Sequence, residues 1–253
     1  MTAADIQRIK DLLPTSLGSD ELRSSIASDI LRRSVFSARM ASATYLAKVR
    51  EVCAQVSEGS INQATARARL LETLSQMGHS PLDDGGLTNP ASIRRLNLIV
   101  DTQRQMAASV SRIQTQTPAV LERWPAWELT RLVGKAVPRE DWPARWRNAG
   151  ESIGWEGALK DRFIALKTSP IWQALGDGAG GFRDTLGNPY PPFAYSSGMA
   201  WVAVDRETCE RLGLSVPEPE TVPSASLSPA EKDIADAASR LGFTLEDLAE
   251  GLE

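Results

Sequence analysis

All seven tryptophans of this chain fall between positions 124 and 201: Trp124, Trp127, Trp142, Trp146, Trp155, Trp172 and Trp201. An indole ring is a large apolar load that must be packed or docked, so the chain has to close a core around this stretch. The same stretch holds the run Asn188-Pro189-Tyr190-Pro191-Pro192-Phe193-Ala194-Tyr195-Ser196-Ser197-Gly198-Met199. Prolines at this density preset backbone angles and favour a rigid turn. Long, aromatic-poor helical patterns come before it and a short acidic tail after. That asymmetry predicts a compact centre carried on a helical scaffold.

A length of 253 residues suits one large domain or two smaller ones. The 42% hydrophobic and 24% charged residues are those of a soluble globular chain, not of one disordered throughout. A formal net charge of -4 and a pI near 5.3 argue against a dedicated nucleic-acid binder. Cys53 and Cys209 give neither a CxxC pair nor a disulfide framework, and read as reduced, buried thiols. No apolar run approaches the ~20 residues needed to span a bilayer. The first residues lack the basic start and apolar stretch of a signal peptide. The expectation is a product assembled in the cytoplasm, without membrane association.

The periodicity predicts a mainly α fold with a small α+β core: long N-terminal helices, short strands around the tryptophans, and a C-terminal helical tail. Ile6, Ile9, Leu12 and Leu13 form a first short helix ended by Pro14. A turn at Leu17–Asp20, capped at Ser19 or Asp20, opens a run from Glu21 to Val56. This run reads as one long helix or two joined end to end, a rod of ~50 Å. Its Ser24, Ser25, Ala27, Ser28, Ala41 and Ala43 suit close helix packing. Gly59 stops it; Ser60 and Gln63 then form a capping box for a helix to Gly78. Asn89-Pro90 opens the next helix, with Ile93, Leu96, Ile99, Val100, Met106, Val110 and Ile113 as its stripe. Its arginines, Arg94, Arg95, Arg104 and Arg112, read as a solvated face, with a DNA-contacting strip as the alternative.

Beyond Trp124-Pro125 the pattern changes. Trp127 to Val133 reads as a strand and Gly134 to Pro138 as its turn. Asp141 to Asn148 reads as a helix with Trp142 and Trp146 on one face. Trp155 to Leu166 reads as another, Leu159, Phe163 and Leu166 inward, and Ser169-Pro170 starts a third ending near Leu175. Gly176 to Gly181 reads as a flexible loop and Met199 to Val204 as a short strand. Asp205 caps a helix closed by Gly213. The expected domains are a helical scaffold over 1–120, a Trp-rich α+β core over 121–213, a linker over 214–227 and a helical tail over 228–253. In that tail Leu245, Leu248 and Leu252 make an amphipathic face that either docks on a partner or folds back.

Motifs with chemistry are scarce. The glycine loop lacks the Gly-Lys-Ser/Thr end of a phosphate cradle. Asp177 and Asp184 lack the alternating ligands of a calcium loop. The single histidine, His79, stands at a helix end, which leaves no zinc cluster and no Ser-His-Asp triad. Glu128, Glu140, Asp141, Glu151, Glu156 and Asp161 crowd the tryptophans, so a glycoside hydrolase acting on peptidoglycan is the enzymatic alternative. Neither a cofactor nor a metal is expected.

Taken together, the helical scaffold, the Arg-rich helix, the Trp-centred segment and the Pro-rich turn feeding a strand resemble the Mu F-like head-morphogenesis proteins. These are minor head proteins of tailed phages and prophages. The residues that carry the resemblance are Phe36-Ser37-Ala38-Arg39 through Gly59, Arg94-Arg95-Leu96-Asn97-Leu98-Ile99-Val100-Asp101-Thr102-Gln103, and Trp127-Glu128-Leu129. Ser169-Pro170-Ile171-Trp172 through Tyr190-Pro191-Pro192-Phe193, with Ser197-Gly198-Met199, belongs to it as well. It spans roughly Leu22 to Leu212. Many members follow Pro-Pro with a His-Cys-Arg-Cys-like segment; here Phe193-Ala194-Tyr195 follows, so no metal or thiol role carries over.

The resemblance implies a low-copy virion component near the portal vertex, assembled in a bacterial host and acting in head assembly or completion. Its partners would be the portal protein, the major capsid protein, or both. No catalytic residue is implied. The residues expected to meet a partner are Trp124, Trp127, Gly178, Gly181, Tyr190, Pro192, Phe193 and Tyr195, with Leu245 and Leu248 in the tail. The alternatives are a virion-associated peptidoglycan-degrading enzyme and a DNA-contacting packaging factor.

Overall fold

A computed structural model describes residues 1–80, 86–132, 134, 139–155, 162–178 and 181–217. Among the described residues the chain is mainly α, with ten helices and five short strands. It divides into two compact units, the first built on Met1–Gln114 and the second beginning at Thr115. The boundary thus falls at Gln114–Thr115, ahead of the short helix that precedes Trp124.

The first unit opens with α1 (Ala3–Arg8), where Thr2 and Asp5 cap each other. β1 (Asp11–Leu12) follows, then α2 (Ser19–Ser25), α3 (Ser28–Arg33) and β2 (Ser34–Val35). β1 and β2 pair in parallel, Asp11 with Ser34 and Leu12 with Val35. Neither one long helix nor two joined end to end forms from Glu21 to Val56. Serine and aspartate offer the backbone alternatives to helical bonding, and the pairing of Ser34-Val35 with β1 breaks the run. Arg39 then turns at φ 55° before Ser42 caps α4 (Ala43–Glu58) by accepting from the Tyr45 N–H.

Gly59 ends α4 in the left-handed conformation, as expected. α5 (Gln63–Gln76) is capped by Asn62 rather than Ser60: the Asn62 Oδ1 accepts from the Thr65 N–H at 2.9 Å, while the Ser60 hydroxyl bonds back to Gln55 O. α6 (Ile93–Gln114) is likewise capped by Ser92, not Asn89, whose side chain instead turns onto Ala91. The core joins Tyr45, Leu46, Val49, Val52 and Cys53 of α4 to Leu70 and Leu74 of α5 and Leu96 and Val100 of α6. α1 packs against both α4 and α6. Ile93, placed by its spacing on the apolar stripe of α6, is 65% exposed.

The second unit has α7 (Pro118–Arg123), β3 (Ala126–Arg131), α8 (Trp142–Ser152), β4 (Ile164–Leu166), α9 (Ile171–Asp177), β5 (Met199–Val204) and α10 (Arg206–Arg211). β3 is central in an antiparallel sheet of order β4-β3-β5. Residues 164–166, expected to end a helix, form β4 instead. Ile164 and Ala165 are buried and pair with Glu128 and Trp127, so cross-strand packing decides a segment whose local pattern is ambiguous. Because side chains alternate across a strand, Trp127, Leu129 and Trp201 share one face. Ala126, Ile164 and Val204 share the other, where they pack with Cys209 of α10. Leu214 and Val216 close over that second core, so the start of the expected linker is docked on the sheet. Residues 218–253, including Leu245 and Leu248, lie outside the described residues.

Candidate functional site

Five of the seven tryptophans form one connected aromatic core. Trp127 and Trp201, diagonal neighbours on β3 and β5, stack with ring centroids 5.3 Å apart and planes 3° from parallel. Trp172 of α9 stands edge-on to Trp201 at 5.3 Å and to Trp146 of α8 at 5.5 Å, and faces Phe193 at 6.2 Å. Trp146 also meets Trp155 and Phe163. Offset and T-shaped pairs are the favourable aromatic geometries. Trp172 satisfies its ring N–H by donating to Leu166 O at 2.9 Å, which ties α9 to β4.

Around this core runs a lattice of arginines and aspartates. Arg145 of α8 is buried; it donates to Asp141 at 2.8 Å and to Asp184 at 2.7 Å, with its guanidinium 4.3 Å from the Phe182 ring. Arg139 pairs with the same Asp184 and donates to Tyr195 O at 2.7 Å. Burial and the neighbouring Arg145 charge both hold the Arg139 pKa below the usual guanidinium value. Asp184 therefore sits between two cations and pins the segment from 181 to 195 onto α8.

The residues expected to meet a partner are divided by this packing. Tyr190, Pro192 and Phe193 are buried, and Phe193 belongs to the aromatic core. The Pro-rich run is thus a wall of the core and not a presented loop: Asn188 Nδ2 donates to Tyr190 O and Pro192 O, both at 3.0 Å, folding the run inward. Trp127 is buried as well. Trp124 is half-buried, with the Arg123 guanidinium 6.0 Å from its ring. Tyr195 is half-buried and held through its carbonyl. Gly178 is a tight turn at φ 76°, where a Cβ would meet Phe182 O at 2.5 Å, and Gly181 is exposed at φ 87°. Of the eight candidates before the tail, Gly181 alone is fully exposed.

Of the acids proposed for chemistry, Glu128 and Asp141 are engaged, Asp141 by Arg145. Glu128 takes both ends of the Arg162 guanidinium, at 2.9 and 2.7 Å, a bidentate charge-assisted pair. The hydrogen bond to Glu128 also raises the Arg162 pKa. Glu156 and Asp161 lie outside the described residues. Asp177 accepts from Gln173 at 2.6 Å.

Of the arginines on α6, Arg94 and Arg112 are exposed and Arg104 is half-buried, while Arg95 is not part of a solvated face. It is buried and donates to Ser37 Oγ at 2.8 Å, to Ala38 O, and to Leu87 O and Thr88 O at 3.3 Å. Its work is to hold two loops of the first unit together.

Sequence reading missed a buried polar cluster in the first unit. Lys10 is 4% exposed and donates to Gln103 Oε1 at 2.8 Å; Gln7, fully buried, donates to the same oxygen at 3.1 Å. Lys10 lies past the end of α1 and before β1, so helical spacing does not disclose its burial. A groove of about 360 Å³ lies beside α1 and α4, lined by Arg8, Ala47, Arg50, Glu51, Ala54 and Gln55. Its charges already have partners: Arg8 binds Asp5 and Glu58, Arg50 binds Lys10 O, and Glu51 binds Lys48.

Fold and site together define a mainly α protein whose small sheet domain is built on a closed tryptophan core. Comparison with family models, with curated proteins and with solved structures finds no match for this chain. No helix among the described residues is long and apolar enough to cross a membrane.

Proposed function

We propose that this chain is a structural component of a tailed-phage virion, a minor head or portal-vertex protein that acts by binding other virion proteins. The resemblance of residues 22–212 to the Mu F-like head-morphogenesis family supports the reading. The observation that carries it is the use of the Trp-rich segment in packing: Trp127, Trp172, Trp201 and Phe193 fill a core, and Glu128 is held by Arg162. A sugar-cleaving site built there would need open tryptophan platforms and a carboxylic acid able to give up its proton. Trp127, Trp172 and Trp201 are buried, and Glu128 is committed to Arg162. The DNA-contact alternative loses one of its four arginines, since Arg95 is committed to Ser37, Ala38, Leu87 and Thr88.

Head incorporation tests the proposal. The chain is co-expressed with the portal and major capsid proteins of a tailed phage, and the lysate is run on a sucrose gradient. Sedimentation with portal rings or heads at a low, fixed stoichiometry is the expected outcome. A chain that stays at the top of the gradient while heads form normally would overturn it.

A further inference from the structure

Lys10 is a buried cation without an acidic partner. Among the described residues its side-chain hydrogen bond goes to the neutral amide of Gln103, and no carboxylate forms an ion pair with it. Gln7 Oε1, on α1 three residues before Lys10 and fully buried, has no hydrogen-bond partner among the described residues. The cluster therefore brings an ammonium and an orphaned carbonyl oxygen into the seam where α1 meets α4 and α6. Both are costly to bury. Ala4, Ile6 and Gln7 of α1 are themselves buried in this seam.

We infer that α1 is a releasable element, and that the charge on Lys10 sets how firmly it docks on α4 and α6. Charged, the amine bears the full cost of burial and α1 is held less firmly, so that openings which uncover Ala4, Ile6 and Gln7 are more frequent. Neutral, it stays as a donor to Gln103 and the seam closes. Burial pushes the Lys10 amine down to about 8 from its ordinary 10.5, so both states are reached near neutral pH. The sign follows from that direction. Below about pH 8 the full penalty for burying the charge is present, and it is relieved as pH rises from 8 towards 10.5.

The groups around the amine do not reverse this. On α4, burial pushes the Cys53 thiol up to about 12, so it stays neutral over the range, and Arg50 binds Lys10 only through its carbonyl oxygen. On α6, Asp101 accepts from Gln63 at 2.6 Å, and Arg104 adds a like charge to the surroundings of Cys53. On α1 itself, Arg8 is turned outward to Asp5 and Glu58. The inference is independent of the virion reading.

Pulse-labelling amide exchange between pH 7 and 10, corrected for the intrinsic rate, tests it on the full chain. Protection of the Ile6 and Ile9 amides, which bond to Thr2 O and Asp5 O, should rise about tenfold per pH unit above 8. Lys10→Met should raise their protection at pH 7 and remove the pH dependence. Flat protection in the wild type, or lower protection in a folded Lys10→Met, would overturn the inference. Should Lys10→Met fail to fold, the carbon-13 shift of the Lys10 Cε in the native wild type decides. Titration near pH 8 supports the inference, and titration at the ordinary lysine value overturns it.

Discussion

The backbone of Asn188 lies against Gly176 so closely that a Cβ at position 176 would stand 2.1 Å from the Asn188 carbonyl oxygen. Gly176 is in the last turn of α9, and the neighbour is main chain, which cannot swing aside as a side chain could. Gly176→Ala must therefore push the Asn188–Phe193 wall off the aromatic core. A loss of about 3 kcal/mol or more is expected, at the upper end of overpacking costs. Urea unfolding followed by tryptophan emission checks it, because all seven tryptophans belong to the second unit.

Trp172 is the hub of the ring network, touching Trp146, Phe193 and Trp201 and bonding to Leu166 O. Trp172→Ala should cost about 3–5 kcal/mol, the range for deleting a buried large aromatic. Trp172→Phe keeps an aromatic ring and should lose less, part of it from the lost indole N–H bond to Leu166 O, which keeps the Ser169 N–H as a donor. Denaturant midpoints of the two variants should fall in that order.

The neighbouring Arg94 and Arg95 should behave differently. Arg95→Ala leaves carbonyls of Ala38, Leu87 and Thr88 without their donor, and a loss of about 2–4 kcal/mol is expected. Arg94→Ala on the exposed face should stay within about 0.5 kcal/mol of the parent. Thermal melts followed by circular dichroism distinguish them.

Both thiols should be inert in the folded chain. Burial pushes Cys53 up to about 12 and Cys209 up to about 11. Thiolate is the reactive form, so at pH 8 a thiol-reactive dye should label neither until denaturant is added. Fast labelling of Cys209 in buffer would show that Leu212, Leu214 and Val216 do not cover that face of the sheet.

What the sequence discloses here is what is decided locally. The Gly59 stop, the Asp205 cap, the Trp127 strand and the shared face of Trp142 and Trp146 each depend on a few adjacent residues, and each is present. The rest is settled by distant partners. Ser34-Val35 becomes a strand because Asp11-Leu12 lies beside it, and Ile164–Leu166 because β3 does. The Pro-Tyr-Pro-Pro-Phe run has the composition of an exposed turn; only the Asn188 side chain bonding to Tyr190 O and Pro192 O folds it inward. Arg95 looks like its exposed neighbours until its four acceptors are assembled from two separate loops. In the candidate site the acids were visible, but Arg162 beside Glu128 and the two arginines on Asp184 were not.

The central claim is that this chain works by binding and that its tryptophan-rich centre does no chemistry. A cell-wall zymogram of the purified full chain, run beside Glu128→Gln, tests it most directly. No clearing by either protein is the expected result. Clearing by the wild type that disappears in a folded Glu128→Gln would contradict the account.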